Sequence, residues 1–137
     1  MAKKFIDQTD APIFLTGKAG TGKTTFLESL PDFTDKSYII VAPTGVAALN
    51  AQGVTIHSQF LFPFGTFCVD QQHQPQFSAS FYNAQDLIRK HPLNAVRTKV
   101  LRSIDLLVID EVSMVRADMM DAIDHRLRRV RRNQRPF

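Results

Sequence analysis

Three short, continuous apolar runs dominate the hydropathy pattern of this 137-residue chain. They are "PIFLT" at Pro12–Thr16, "SYIIVA" at Ser37–Ala42 and "DLLVID" at Asp105–Asp110. Runs without polar alternation are typical of strands that are buried on both faces. The pattern therefore predicts three strands of a parallel sheet that helices cover on its faces.

Helix-like segments separate and follow these runs. The last is the clearest, because Met120, Ile123, Leu127 and Val130 recur at three- and four-residue spacing as one apolar face, with the arginines on other faces. Further helices are predicted from Gly22 toward Leu30, where Pro31 stops the helix, and over residues 45–52, 84–90 and 95–103. Strands that alternate with helices favour an α/β fold with right-handed crossovers. Three strands make a thin sheet, so we expect an incomplete α/β domain.

The residues "GKAGTGKT" at Gly17–Thr24 match G-x-x-x-x-G-K-[ST] between a predicted strand and a predicted helix. Glycines let such a loop curl until its backbone N–H groups converge on phosphate oxygens. Lys23 is expected to reach the β- and γ-phosphates, and the Thr24 hydroxyl to bind Mg²⁺. No N-K-x-D stretch for reading guanine is present, so ATP is the expected nucleotide. The predicted nucleotide-binding residues are Gly17, Lys18, Ala19, Gly20, Thr21, Gly22, Lys23, Thr24 and Thr25.

An acidic pair, Asp110 and Glu111, ends the third apolar run. An Asp at the carboxyl end of a strand, near a phosphate loop, suits coordination of Mg²⁺ through water. The adjacent Glu can orient and deprotonate an attacking water, which is the chemistry of a hydrolase. Lys23, Asp110 and Glu111 are therefore the predicted catalytic residues, and Thr24 and Asp110 the predicted magnesium ligands.

Two small, uncharged segments follow the second run: "APTGVAALN" at Ala42–Asn50 and "GVTIHSQF" at Gly53–Phe60. Loops at the carboxyl ends of parallel strands form the ligand-binding edge of such a sheet. Thr44 and His57 offer hydrogen bonds there, and Phe60 offers a ring on which a base could stack. The residues alone leave two interpretations open, a path for a nucleic-acid backbone or tight packing of helix on strand.

The composition is that of one cytosolic globular domain, with 44% hydrophobic and 22% charged residues. No apolar run approaches the roughly 18 residues of a membrane span, and "MAKKFIDQTD" has no signal-peptide core. The single cysteine, Cys68, excludes an internal disulfide and fits a reducing compartment. Cys68 and the four histidines have no metal-ligand spacing, so no zinc site is predicted.

Two segments stand apart in composition. Six arginines and no acidic residue lie in 126–135, and the other Lys and Arg residues number 11 against 13 acidic residues. The arginine segment is either a solvated helix face or a phosphate-binding surface. Residues 61–83, rich in Phe, Gln and Pro, are too long for an ordinary connection and form a predicted insertion that is functional or mobile. Its phenylalanines are expected to make core or interdomain contacts rather than to stack on bases.

Four motifs in their order and spacing resemble motifs I, Ia, Ib and II of superfamily 1B DNA helicases of the petite-integration-frequency type. They are "GKAGTGKT", "VAPTGVAALN", "GVTIHSQF" and "LLVIDEVSM", and the resemblance covers most of Ile13–Met114. It implies an α/β three-layer P-loop NTPase fold of the RecA-like kind, with a mostly parallel sheet. It also implies ATP and Mg²⁺ as cofactors, and 5′ to 3′ movement on single-stranded DNA with opening of duplexes and duplex junctions. The residues it implies for the single-strand track are Pro43, Thr44, Gly45, His57 and Phe60.

The resemblance also implies parts that this sequence does not contain. Motif III, of the type G-D-x-x-Q-L-P-P, and a second RecA-like domain with arginine fingers are absent from residues 1–137. Gln8 lies nine residues before Gly17, closer than the glutamine that reads adenine in that family. We therefore expect residues 1–137 to be the N-terminal part of the first RecA-like domain, weakly active or inactive alone.

The sequence leaves two other functions open. The first is a self-contained P-loop ATPase that acts on protein partners, whose turnover would not respond to single-stranded DNA. The second is a non-enzymatic nucleic-acid-binding module, in which the glycine-rich loop binds the phosphates of DNA instead of ATP.

Overall fold

A computed structural model describes residues 1–69 and 81–136 of the chain. Its strands are β1 (Tyr38–Ala42), β2 (Val54–Thr55), β3 (Thr66–Cys68), β4 (Phe81–Asn83) and β5 (Leu106–Ile109). Its α-helices are α1 (Ala2–Gln8), α2 (Lys23–Glu28), α3 (Gly45–Asn50), α4 (Ile56–Phe60), α5 (Ala84–Arg89), α6 (Ala95–Ser103) and α7 (Ala117–Arg131). Short 3₁₀ turns follow α2 at Leu30–Asp32 and β5 at Val112–Met114. Among these residues, no helix is long and apolar enough to cross a membrane.

The central sheet has the order β2-β1-β5, and all of its pairs are parallel. Val41 lies beside Ile109 on one side and beside Val54 on the other. The amino-terminal ends of β1 and β5 are joined by Ser37, whose backbone N–H and hydroxyl both donate to the Asp105 carboxylate at 3.0 and 2.8 Å. β1 is the most buried of the three strands, since Val41 and Ala42 are 0% exposed, whereas β5 is half-buried along its length and Val54 of β2 is 43% exposed.

The predicted strand at Pro12–Thr16 is wrong for this structure. Ile13, Phe14 and Leu15 are 42%, 74% and 40% exposed, and no strand forms in residues 11–18 of the described chain. A strand needs a neighbour that accepts and donates along its backbone. Apolar composition alone therefore does not make this run a strand.

The other elements lie close to their predicted positions. The runs at 37–42 and 105–110 form β1 and β5, and α6 spans the predicted residues 95–103. In α7 the predicted apolar face is buried, with Ile123 at 0% and Leu127 at 5% exposure. The prediction that all arginines lie on other faces is wrong, because Arg126 belongs to that buried face and is only 3% exposed.

Three aromatic side chains of the predicted insertion 61–83 belong to the core, whereas Phe64 is exposed. β3 and β4 form a separate parallel pair, and Phe62, Phe67 and Tyr82 are 5–6% exposed within the main hydrophobic cluster. The backbone N–H of Phe67 donates to the Asp118 carboxylate of α7 at 3.0 Å. Core contacts are thus confirmed for Phe62 and Phe67, whereas residues 70–80 of the insertion lie outside the described residues.

Candidate functional site

The glycine-rich loop contains two glycines in the left-handed backbone conformation. Gly20 and Gly22 adopt φ angles of 76° and 87°, in the left-handed region that side chains disfavour. A Cβ atom at Gly17 would lie 2.6 Å from the Thr21 hydroxyl oxygen, so a larger residue there would force the Thr21 side chain to move. Thr21 closes the turn, since its hydroxyl donates to the carbonyl oxygen of Lys18 at 2.8 Å. These three glycines are therefore explained by the curvature of the loop itself.

The donors of this loop are available to a ligand. The backbone N–H groups of Gly20, Gly22 and Thr24 donate to no acceptor among the described residues. The Lys23 ammonium donates to the carbonyl oxygens of Gly17 and Lys18 at 2.7 and 3.0 Å, so it lies over the same loop. An anion in the loop would take the N–H donors and offer Lys23 a charged acceptor in place of two carbonyls. The donor set fits a nucleotide phosphate.

The acidic pair lies on a strained turn at the end of β5. Glu111 is exposed and adopts φ 51°, which a non-glycine residue rarely does outside turns and functional sites. Its backbone N–H donates to the Asp110 carboxylate at 2.9 Å, while the N–H of Asp110 continues the ladder to Val41 at 2.9 Å. The ladder thus fixes Asp110, and the turn separates Glu111 from it.

The two predicted magnesium ligands, Thr24 and Asp110, carry oxygen atoms of the chemical type that Mg²⁺ prefers. Among residues 1–69 and 81–136, no group of three or more His, Cys, Asp or Glu side chains lies close enough to hold a metal ion. Mg²⁺ commonly binds one or two protein ligands and completes its octahedron with water and substrate phosphates. The Thr24 hydroxyl and the Asp110 carboxylate are ligands of that kind.

Threonine side chains cap the helices that follow the two adjoining parallel strands. After β1, the Thr44 hydroxyl accepts from the backbone N–H of Ala47 at 3.2 Å and caps α3. At the end of β2, the Thr55 hydroxyl accepts from the backbone N–H of Ser58 at 3.2 Å and caps α4. Because Ala42 pairs with Thr55 and Val41 with Ile109, both caps lie at the same sheet edge as Asp110. The central sheet therefore brings three of the four predicted motifs, at residues 41–50, 53–60 and 106–114, to one edge.

The fourth motif, the phosphate loop at Gly17–Thr24, is less firmly connected to this sheet edge. Within the described chain, no hydrogen bond or ion pair joins the phosphate loop to the edge formed by Thr44, Thr55 and Asp110. The preceding segment is held elsewhere, since the Lys36 ammonium donates to the Thr9 carbonyl oxygen at 2.7 Å. The structure therefore describes the loop and the sheet edge individually, without a bonded contact between them in the described chain.

Gly53 and Gly45 bear differently on the two interpretations of the small loops, which were tight packing of helix on strand and a path for a nucleic-acid backbone. A Cβ atom at Gly53 would collide with the carbonyl oxygen of Ile40, so tight packing explains that glycine. At Gly45, the exposed first residue of α3, a Cβ atom would meet nothing within 4 Å. Packing inside the chain does not require Gly45, whereas close approach of a ligand backbone would.

Half-buried His57 and exposed Phe64 form an aromatic pair near this edge. Their ring centroids lie 5.1 Å apart in a stacked arrangement, and Phe64 is 89% exposed. Partial burial lowers the pKa of His57, which favours its neutral form. The residue expected to stack on bases, Phe60, is instead 0% exposed and packs on Phe62 at 5.5 Å. The expectation for Phe60 is corrected, because its apolar ring is worth more in the core than at the surface.

Sequence reasoning missed the structural role of Arg126. Its guanidinium donates to four carbonyl oxygens, those of Phe60 (3.2 Å), Leu61 (3.4 Å), Leu87 (3.0 Å) and His91 (2.7 Å). Burial lowers the pKa of Arg126 to about 10. The signal was available, since Arg126 stands three residues after Ile123 and four before Val130 on the apolar stripe.

Comparisons with known proteins identify a family for this chain. A family model described as PIF1-like helicase matches residues 2–137. The ATP-dependent DNA helicase PIF1 of Candida albicans is 34% identical over 129 residues, and the human helicase of that name is 32% identical over 130. Each alignment covers 91% of this chain, but only 13% and 17% of the relative's length.

Comparison with solved structures identifies the same family. Pif1 of Bacteroides sp in complex with ADP-AlF4 is 40% identical, with a TM-score of 0.79 over 99% of this chain and 28% of that chain. A Bacteroides Pif1 bound to ssDNA is 42% identical, with a TM-score of 0.72 over 90% of this chain and 25% of that one. These likenesses confirm the expected α/β P-loop fold with a partial parallel sheet.

Proposed function

This chain belongs to the PIF1-like helicase family, and we propose that it is the ATP-binding part of a DNA helicase motor. In the full-length protein, ATP hydrolysis stimulated by DNA would drive translocation on single-stranded DNA and duplex unwinding. The observation that carries the proposal is the sheet edge at which Thr44, Thr55 and Asp110 meet. Relatives at least 30% identical are named ATP-dependent DNA helicases, and the chain spans 13–17% of the length of the first of them.

The domain assignment is part of the same proposal. Residues 1–137 would be the N-terminal part of the first RecA-like domain, and a second RecA-like domain would be its partner in the full-length protein. The open edge of β5 supports this, since among the described residues β5 pairs only with β1. An edge strand presents unpaired backbone N–H and C=O groups with which a further strand can pair.

For nucleotide binding, the proposed roles follow from the donors in the loop. The N–H groups of Gly20, Gly22 and Thr24 would bind phosphate oxygens, and Lys23 would move from its two carbonyl partners to the β- and γ-phosphates. Thr24 and Asp110 would hold Mg²⁺, which supplies charge neutralisation at the phosphates when it is bound. This arrangement works by position and charge rather than by covalent chemistry.

For hydrolysis, the proposed base is Glu111. It is exposed on its turn, so its carboxylate can accept a proton from a water molecule that attacks the terminal phosphate. Asp110 is held by the strand ladder and by the Glu111 N–H, which suits a fixed metal ligand rather than a mobile base. The division of labour between the two carboxylates follows from these different environments.

For DNA binding, the proposed track runs along the edge past Pro43, Thr44, Gly45 and His57. Because no atom lies within 4 Å of a Cβ position at Gly45, a sugar–phosphate backbone would be able to approach the chain closely there. Phe64 would replace Phe60 as the stacking residue, because its exposed ring already lies against His57. Bacteroides Pif1 has been solved with ssDNA, which supports a single strand as the ligand.

The deciding experiment is steady-state ATP hydrolysis by the full-length protein, with and without single-stranded DNA. We expect DNA to stimulate turnover, and Glu111→Gln to reduce kcat by about 10²-fold or more while nucleotide affinity stays near the wild-type value. Turnover that ignores DNA would favour a self-contained ATPase. DNA binding without any affinity for ATP would favour a nucleic-acid-binding module.

A further inference from the structure

Two adjoining cavities lie along α6, away from the sheet edge described above. Their volumes are about 420 and 500 Å³, and both are lined by Leu93, Thr98 and Arg102. Because they share these walls, they form one continuous groove between α6, the loop before it and the end of α7. We call this feature the α6 groove.

The α6 groove carries five positive charges and no negative one. Lys99 lines the smaller cavity, Arg126, Arg129 and Arg132 line the larger, and Arg102 lines both. No Asp or Glu contributes to either lining. Concave surfaces of one sign concentrate counter-ions more strongly than flat ones.

Most of these charges are free to bind a ligand. The side chains of Lys99, Arg129 and Arg132 have no hydrogen bond or ion pair within residues 1–69 and 81–136. Arg102 is oriented by one bond, from its Nε to the carbonyl oxygen of Val130 at 2.9 Å, which leaves its terminal nitrogens available. The neighbouring Arg128 differs, since it is paired with Asp124.

The position of the groove separates it from the nucleotide site. Arg102 lies at the end of α6, just before β5 begins, whereas Asp110 follows the other end of β5. Arg129 belongs to the last turn of α7, a helix of 15 residues that is roughly 22 Å long. A ligand in the groove would therefore not compete with a nucleotide at the opposite edge.

We propose that the α6 groove is a second binding site for single-stranded nucleic acid, apart from the track along Thr44 and His57. A linear polyanion can span both cavities and meet the four exposed cations, Lys99, Arg102, Arg129 and Arg132, which a single phosphate ion cannot do. Arg126 is buried and bonded to backbone carbonyls, so it adds charge to the groove but no free donor. The larger cavity also has an aliphatic lining of Ile88, Pro92, Leu93 and Val130, which an unpaired base or a sugar would cover. The choice of nucleic acid over an acidic protein rests on the proposed function.

The test compares two double variants of the full-length protein that remove the same charge. Lys99→Ala with Arg129→Ala takes one exposed cation from each cavity, and Lys3→Ala with Lys4→Ala takes two from the exposed surface of α1. Binding of a fluorescent oligo-dT strand is measured over a range of salt concentrations. We expect only the groove variant to lose affinity, about tenfold, and its log–log salt slope to become shallower by about 1.4.

A Lys99→Gln and Arg129→Gln variant keeps part of each aliphatic stem, so it separates loss of charge from most of the loss of packing and should behave like the alanine pair. Equal losses in the groove and α1 variants would overturn the proposal, because the effect would be one of net charge. Unchanged binding in the groove variant would overturn it too. Failure of the wild-type protein to bind DNA at all would instead refute the proposed function, and ATP affinity should not change in any variant.

Discussion

Lys23 in the phosphate loop and Arg126 in α7 are both cations bonded to backbone carbonyls, and they contribute to the molecule in opposite ways. Lys23 bonds to two carbonyls of its own exposed loop. Arg126 is 3% exposed and bonds to four carbonyls from other parts of the chain. The first arrangement can be exchanged for a ligand, whereas the second holds separate elements together.

The difference comes from solvent. Carbonyl partners of an exposed ammonium compete with water, so their loss to a phosphate costs little. Carbonyls around a buried guanidinium have no water to return to, and an unpaired buried acceptor is costly. Even with its pKa lowered to about 10 by burial, Arg126 stays charged at neutral pH. The region that does the proposed chemistry and the region that maintains the fold therefore respond differently to substitution.

The largest effect is expected for Lys23→Ala in the full-length protein. We expect kcat for ATP hydrolysis to fall by about 10²–10³-fold, because a charged donor to the transferring phosphate is lost. The free energy of unfolding should change by no more than about 0.5 kcal/mol, since the lost bonds are exposed. Turnover assays and urea unfolding on the same preparation check both statements, and a large loss of stability would contradict the comparison.

Arg126→Met is the converse experiment. Urea unfolding should show a loss of about 3 kcal/mol, because the carbonyls of Phe60, Leu61, Leu87 and His91 lose their donor. Arg126→Lys is the matched control: it keeps the charge but not the planar fork, so its loss should be intermediate. A methionine variant as stable as the wild type would mean that desolvation of the guanidinium cancels its four bonds.

The smallest effect is expected for Phe64→Ala. Its ring is 89% exposed, so stability should stay unchanged within about 0.5 kcal/mol. Affinity for single-stranded DNA should fall about tenfold, the loss expected for one stacked base. Phe64→Tyr keeps the aromatic face and should retain affinity in the same fluorescence assay. If alanine and tyrosine bind equally well, the His57–Phe64 pair does not contact the strand.

Local sequence was sufficient for much of the candidate site. The glycine spacing of the phosphate loop predicts the positive φ angles of Gly20 and Gly22, and Thr44 precedes a segment whose first N–H groups need a cap. These features depend on neighbours a few residues away, so a pattern in the chain encodes them. The same holds for α6 and for the apolar face of α7.

Local sequence did not predict the features that depend on contacts between distant segments of the chain. Pro12–Thr16 and Ser37–Ala42 are similar apolar runs, yet only the second finds partners and becomes a strand. The sequence predicts base stacking for Phe60 and core or interdomain contacts for Phe64, yet packing buries the first and exposes the second. Nothing within the local sequence distinguishes the members of either pair.

The sequence by itself determined the phosphate loop, the acidic pair and the order of the motifs, because each depends on backbone conformations and side chains within one short segment. Only the tertiary structure decided that Thr44, Thr55 and Asp110 share an edge, that Arg126 is buried and that the α6 groove gathers five cations. Those outcomes depend on which distant segments pair and exclude water from one another. That competition is settled by burial over the whole molecule.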